Sequence, residues 1–219
     1  MLALKLAYKN LLGAGLRTWL NVIILSLAFV MIIWHKGLLD GWDRQARVDS
    51  IAWEYGGGQY WHEEYDPGDY FSLTESHGII NNELQTEIEN KRAVPILITQ
   101  GTIYPNDRMR SILVKGIDIK QNLLTLPTSK LDTLITEIPA IIGAHMAKSN
   151  KLGVGDRMIL RWRDANGTFD ANEILITAVF KTNMPAVDGG QIWIPIERLR
   201  EMMVTPDEAT IIVVAKGEE

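Results

Sequence analysis

The side chains best suited to chemistry crowd between Trp53 and Phe71. There Trp53, Tyr55, Tyr60, Trp61, Tyr65, Tyr70 and Phe71 are interleaved with Glu54, Glu63, Glu64, Asp66 and Asp69, and glycines occupy 56–58. The run His62-Glu63-Glu64-Tyr65-Asp66 has the outline of a zinc-protease helix, in which two histidines four residues apart hold the metal. Here Asp66 replaces the second histidine and Pro67 follows it, so no helix can present two ligands at that spacing. The acidic spacing and final glutamate of a calcium loop are missing. The three glycines are not followed by Lys-Ser or Lys-Thr, so they form no phosphate loop. Glu63, Glu64, Asp66 and Asp69 include enough carboxylates for an acid/base pair, but no partner converges on them in the sequence. His35, His62, His77 and His145 are scattered and have no ligand spacing.

No nucleophile elbow or Walker sequence occurs. With no cysteine, disulfides, thiol catalysis and thiolate metal sites are excluded. Asn166-Gly167-Thr168 is a glycosylation sequon, without meaning in a bacterial protein. The expectation is a non-enzyme with no catalytic, cofactor-binding or metal residue, that is, a binding or coupling protein. Trp53–Phe71 is then aromatic packing at the base of a domain outside the cytoplasm.

The element that places this domain is Trp19 to Trp34. From Thr18 to Trp34, 17 residues carry no ionisable side chain. At helical rise they cover about 26 Å, close to a bilayer's hydrocarbon thickness. Asn21 and Ser26 are polar but can hydrogen-bond within a helix or to a neighbour. Trp19 and Trp34 sit at the ends, at headgroup level. Lys5, Lys9 and Arg17 precede the span with no acidic residue, whereas Lys36, Arg44 and Arg47 after it are mixed with Asp40, Asp43 and Asp49. The positive-inside rule therefore puts the N-terminus in the cytoplasm and the remainder across the membrane. His35-Lys36-Gly37 is no signal-peptidase site, so the span reads as an uncleaved anchor. A formal net charge of −5 without a basic stripe argues against nucleic acid.

Met1 to Leu16 reads either as a helix lying in the membrane interface, turned by Gly13-Ala14-Gly15, or as an extension of the span. Residues 1–18 form this N-terminal segment, 19–40 the transmembrane helix and 41–219 the domain beyond it. Gly37 to Ser50 can continue the helix outward. Beyond it the patterning predicts strands at Tyr60–Tyr65, Val94–Tyr104, Arg110–Ile117, Arg157–Arg163, Glu173–Phe180, Ile192–Pro195 and Ala209–Ala215. Asp66-Pro67-Gly68-Asp69 and 164–167 read as turns. Helices are predicted at Asn81–Lys91, Ala140–Leu152 and around Ile196, Leu199 and Met203. Without a regular strand–helix–strand beat, the class is α+β.

Several motifs carry a resemblance. Leu6-Ala-Tyr-Lys-Asn-Leu-Leu12 and Leu16-Arg-Thr18 stand before the apolar span, with Gly58-Gln-Tyr60 and Tyr65 after it. Val114-Lys-Gly-Ile-Asp118, Ile141-Ile-Gly143, Leu152-Gly-Val-Gly-Asp156, Ile176-Thr-Ala-Val-Phe180 and Trp193-Ile-Pro195 follow in order. Together they resemble the ABC-transporter permeases of the lipoprotein-releasing and macrolide-exporter (MacB-like, FtsX-related) family over nearly the whole chain. The resemblance implies a periplasmic domain behind the first membrane helix, with a porter-like part (about 49–117 and 191–219) and an inserted β-rich part (about 118–190). It also implies a bacterial inner-membrane permease that turns cytoplasmic ATP hydrolysis into periplasmic motion, for lipoprotein release or substrate efflux. Its implied partners are a cytoplasmic ABC ATPase, a second permease copy or paired permease in a dimer, membrane lipid, and a lipoprotein or small hydrophobic substrate. Family members carry three more membrane helices after the domain, so the sequence is expected to be part of a longer permease. The short, proline-free Asp164–Asn172 segment departs from the hook that recruits a chaperone in the lipoprotein-releasing subunit. The rival expectations are an anchored regulator of the division-associated type and a membrane-tethered hydrolase.

Overall fold

A computed structural model describes residues 2–13, 15–69, 71–133 and 136–217. Met1, Ala14 and Tyr70, named above, lie outside the described residues, as does position 219 at the end of the domain expected over 41–219. The chain divides into two units, Met1–Arg47 and Val48–Glu219.

In the first unit, helix α1 (Leu2–Gly13) is followed by α2 (Gly15–Ser50), a 36-residue helix that continues into the second unit. Gly15 starts α2 at φ +70°, a left-handed conformation that glycine adopts without a side-chain penalty, so the two helices are separate. The apolar side chains from Leu20 to Trp34 are exposed, including Ile32 at 67% and Phe29 at 65%. Gly15–Tyr55 is long and apolar enough to cross a membrane by length and composition, and none of its most apolar window is buried. The helix is therefore longer at both ends than the span of 19–40 read from the apolar run, because helix geometry tolerates the charged residues beyond Trp34.

The second unit is α+β. α2 passes into a π-helical turn (Ile51–Tyr55), and the chain then lays down β1 (Gly58–Trp61), β2 (Gly78–Ile79), α3 (Asn82–Glu89), β3 (Ala93–Ile103) and β4 (Arg110–Ile117). Next come β5 (Ile138–Gly143), α4 (Ala144–Asn150), β6 (Arg157–Arg163), β7 (Phe169–Phe180) and α5 (Pro185–Gly190). β8 (Gln191–Pro195), α6 (Ile196–Met203), β9 (Glu208–Ala209) and β10 (Ile211–Val214) complete it.

The pairings β3–β4–β8–β5–β7–β6 return to β3, because Gly101–Ile103 pairs with Leu160–Trp162. Six strands thus close into a small barrel, which removes their free edges. The first half of β3 instead pairs with β10, and β10 with β1, so two strands extend from the barrel wall. Strand alternation sorts the side chains. Leu97, Val114, Ile142, Leu160, Ile176 and Ile192, one from each barrel strand, share the inner cluster with Leu199 and Met203 of α6. Ile96, Ile141, Trp193, Ile211 and Val213 point the other way, into a second cluster under Leu124, Leu126 and Leu131. Closure requires Gly101: a Cβ there would lie 2.8 Å from Val114 Cγ2 and 2.9 Å from Leu160 Cδ1. Strands on both sides of the 117/118 and 190/191 boundaries share this ring.

Some element boundaries differ from the sequence reading. Ile138–Gly143, taken above as the start of a helix from Ala140, is a strand with all six residues buried. Covered on both faces, it carries a continuous apolar run with no alternation to betray it. Only Ala144–Asn150 is helical. The Tyr60–Tyr65 strand is shorter and earlier, because the backbone N–H of Tyr65 turns back to His62 O at 3.0 Å. β7 begins at Phe169, four residues before the expected start, and the final strand is split into β9 and β10. β6 alternates as expected, with Met158, Leu160 and Trp162 buried and Arg157, Arg161 and Arg163 exposed.

Candidate functional site

The residues singled out for chemistry do not come together. His35 lies exposed on α2 and His145 on α4. His62 Nδ1 accepts a hydrogen bond from the Glu64 N–H at 3.3 Å, and His77 Nδ1 meets the Glu208 carboxylate. Glu63, Glu64, Asp66 and Asp69 are exposed. Asp66 Oδ1 accepts from Gly68 N at 2.8 Å and Asp69 Oδ1 from Phe71 N at 2.9 Å, so these two carboxylates shape the turn around Pro67. Among the described residues no group of three or more His, Asp or Glu side chains could hold a metal ion. Asn166–Thr168 forms the β6–β7 turn, where Thr168 N donates to Asp164 Oδ1 at 2.7 Å.

The aromatic segment is only partly core. Tyr65 packs against the second cluster, but Tyr60 is 59% exposed and Trp61 39%. Trp61 stacks on Tyr65 at 3.9 Å between ring centroids and 18° between planes.

The polar chemistry concentrates instead at the root of α2, where the helix enters the barrel domain. Trp53 of the π-turn stacks on Phe180 at the end of β7, 5.5 Å between centroids. Thr125 N donates to Ala52 O at 2.8 Å, Gln59 Nε2 to Glu54 O at 2.9 Å, and Asn183 Nδ2 to Asp49 Oδ2 at 3.3 Å. Glu54 reaches the sheet itself. Its Oε1 accepts from Lys115 Nζ at 2.8 Å and from Gln191 Nε2 at 3.1 Å. The two ionic side chains are 5% (Lys115) and 14% (Glu54) exposed.

Strand register explains this meeting. Lys115 pairs with Trp193 across β4 and β8, and Gln191 lies two residues before Trp193 on the same face. Lys115 Nζ sits 5.0 Å from the Trp193 ring centroid, so the indole face supplies a second favourable contact. Gly56 (φ +56°) and Gly57 then let the chain turn tightly against β10. Cβ atoms there would lie 2.6 Å from Val213 Cγ1 and 2.3 Å from Ala215 O. Gly56 and Gly57 thus serve close backbone approach, whereas a Cβ on Gly58 would meet Val214 Cγ2 at an ordinary 3.7 Å.

Electrostatics at the root follow from burial. Burial pushes the Glu54 carboxyl up, but the Lys115 charge and hydrogen bond, aided by Gln191, outweigh it and hold the carboxyl below its ordinary value. For Lys115, burial dominates and depresses the amine, with Glu54 opposing. The network is incomplete: Gln191 Oε1 and Trp193 Nε1 are buried without a hydrogen-bond partner. Glu54 uses one carboxylate oxygen for both its bonds. The pair is neutral overall and binds the helix root to β4 and β8.

Sequence reasoning named Glu54 within the aromatic segment and Lys115 within a motif but joined neither to a partner, and it missed Gln191. One signal was present: Lys115 is a lone charge inside the apolar run Ile112–Ile117, where a solvated lysine would not belong.

No protein-family model matches the sequence, and no curated protein matches it. Among solved structures, the extracellular domain of the noncanonic ABC-type transporter YknZ from Gram-positive bacteria aligns at a TM-score of 0.41 and 14% identity, over 73% of this chain and 82% of that one. A domain assigned to a permease protein of Porphyromonas gingivalis aligns at a TM-score of 0.41 and 12% identity, over 66% of this chain and 65% of that one.

Proposed function

We propose that this chain is the anchoring helix and extracytoplasmic domain of an ABC-transporter permease, without catalytic activity of its own. The observation that carries this reading is the joint at the helix root. A helix of 36 residues, apolar from Thr18 to Trp34, runs from Gly15 to Ser50, and Asp49 together with Trp53 and Glu54 of the following π-turn binds its root to the barrel domain. A continuous helix fastened to a closed sheet passes on a displacement, whereas a flexible linker absorbs it. The ordered motifs from Leu6 to Pro195 support the permease assignment. On this reading the helix crosses a bacterial inner membrane with its N-terminus in the cytoplasm. A cytoplasmic ABC ATPase drives it, the permease works as a dimer amid lipid, and the load is a lipoprotein or a small hydrophobic substrate.

The absence of native cysteine gives a direct test. Asp170→Cys, in the exposed stretch of β7, should react with a membrane-impermeant maleimide added outside the inner membrane of intact spheroplasts. Lys5→Cys should react only after lysis. Labelling in the opposite order overturns the topology and, with it, the coupling reading.

A further inference from the structure

A cavity of about 240 Å³ lies beside the helix root, between β1 and the outer faces of β3, β4, β8 and β10. Its lining has two characters. Tyr55, Trp61 and Tyr65 contribute aromatic surface, and Leu73, Ile98, Leu113 and Ile211 aliphatic surface. Glu54, Gln59, Lys115 and Gln191 contribute the polar part. For scale, a cavity of about 150 Å³ lined by apolar side chains accommodates benzene. The space here therefore takes a six-membered ring with a substituent.

The polar groups define what that substituent must be. Glu54 Oε1 already accepts from both Lys115 and Gln191, while Oε2 has no partner among the described residues. Gln191 Oε1 is a second acceptor without a partner. These acceptors stand beside a lysine that spends one of its three N–H donors on Glu54, so a group that both donates and accepts, such as a hydroxyl, suits the site. Lys115 and Glu54 cancel each other's charge, so a charged ligand would be desolvated without a counter-ion, at a large cost. The aromatic wall favours a flat apolar body.

We propose that this cavity is a binding site for a small uncharged molecule with an aromatic ring and one hydroxyl or amide N–H, which donates to Glu54 Oε2. Bound there, the molecule bridges β1, the π-turn and the sheet. That it thereby stiffens the helix root rests on the coupling role proposed above; the binding itself does not.

The test uses the full chain in detergent micelles, with ¹⁹F NMR line broadening of fluorinated probes and unlabelled phenol as competitor. Partition into micelles is not saturable, so only competed broadening counts. 4-Fluorophenol should saturate below about 10 mM, as expected for so few heavy atoms. Fluorobenzene should bind at least tenfold more weakly, and 4-fluorobenzoate should show no competed broadening. Leu113→Trp, which fills the cavity, should abolish binding, and Trp61→Ala, which removes part of the wall at an exposed position, should weaken it about tenfold. N-acetyltyrosinamide as competitor separates the two sources of this chemistry. Competition points to a tyrosine side chain from a partner, and its failure while phenol still competes points to a free phenolic molecule; either outcome agrees with the site. Absence of saturable 4-fluorophenol binding, equal binding of fluorobenzene or fluorobenzoate, or binding unchanged in both variants overturns the proposal. The maleimide labelling is independent of all these outcomes, so the site and the topology fail separately.

Discussion

Replacing Glu54 by glutamine keeps the shape of the helix root and removes one charge. Lys115 would then be a buried ammonium, 5% exposed, without a counter-ion. Breaking a buried ion pair from one side costs about 3–5 kcal/mol. The chain has one escape, which is to bury Lys115 uncharged. Holding an amine of ordinary pKa 10.5 neutral at pH 7 costs about 4.8 kcal/mol, at about 1.36 kcal/mol per pH unit. That figure caps the loss, so about 3–5 kcal/mol is expected at neutral pH. For a domain of this size it corresponds to a fall of roughly 6–20 °C in Tm. The cap shrinks as pH rises. Between the depressed folded pKa of Lys115 and 10.5, the unfolded chain binds the proton and the folded chain does not, so stability climbs with pH across that window. At pH 9 the cap is about 2 kcal/mol. Near-UV circular dichroism melts of the full chain in micelles, at pH 7 and pH 9, measure both quantities. Glu54→Gln combined with Lys115→Met should recover most of the loss, because an uncharged pair of similar volume replaces the ions and leaves no buried charge without a counter-ion. A loss below about 1 kcal/mol at pH 7, or one of equal size at pH 9, would refute the reasoning.

Four further outcomes are expected from the same melts. In the unaltered chain, the Glu54 contribution is present above the ordinary carboxylate pKa of 4.5 and is lost as pH falls through the lower folded value. Glu54→Gln combined with Lys115→Met should flatten that acid limb. Trp61→Ala should cost only about 1–2 kcal/mol, since the ring is 39% exposed and gives up mainly its stacking on Tyr65; a loss as large as that of Tyr65→Ala would contradict its placement. Gly101→Val should destabilise by about 1–3 kcal/mol through crowding of Val114 and Leu160 at the barrel closure. Glu63→Ala, at an exposed position, should stay within about 0.5 kcal/mol of the unaltered chain.

Much of this molecule is written in local patterns. Thr18–Trp34 is helical and apolar because nothing in it resists burial in a bilayer, and that is legible residue by residue. β6 announces itself through Met158, Leu160 and Trp162 alternating with arginines, and α6 through Ile196, Leu199 and Met203. These signals survive because one face of each element meets the core and the other meets water, so the period appears in the side chains. β5 does not announce itself. Ile138–Gly143 is apolar on both faces, and its period vanishes where both sides are covered.

The helix root was decided by tertiary structure alone. Glu54 belongs to an aromatic segment that invited an acid/base or metal reading, and its 61-residue separation from Lys115 leaves no local trace. Lys115 is visible in sequence only as an irregularity in an apolar strand. What joins the two is strand register: parallel pairing of β4 with β8 sets Lys115 beside Trp193 and near Gln191, and the π-turn drops Glu54 onto them. The closure of β6 onto β3 is equally non-local, because it depends on Gly101 leaving room for side chains from two other strands. Periodicity reports which face of an element is buried, whereas the partner that buries it is chosen by the packing of the whole chain.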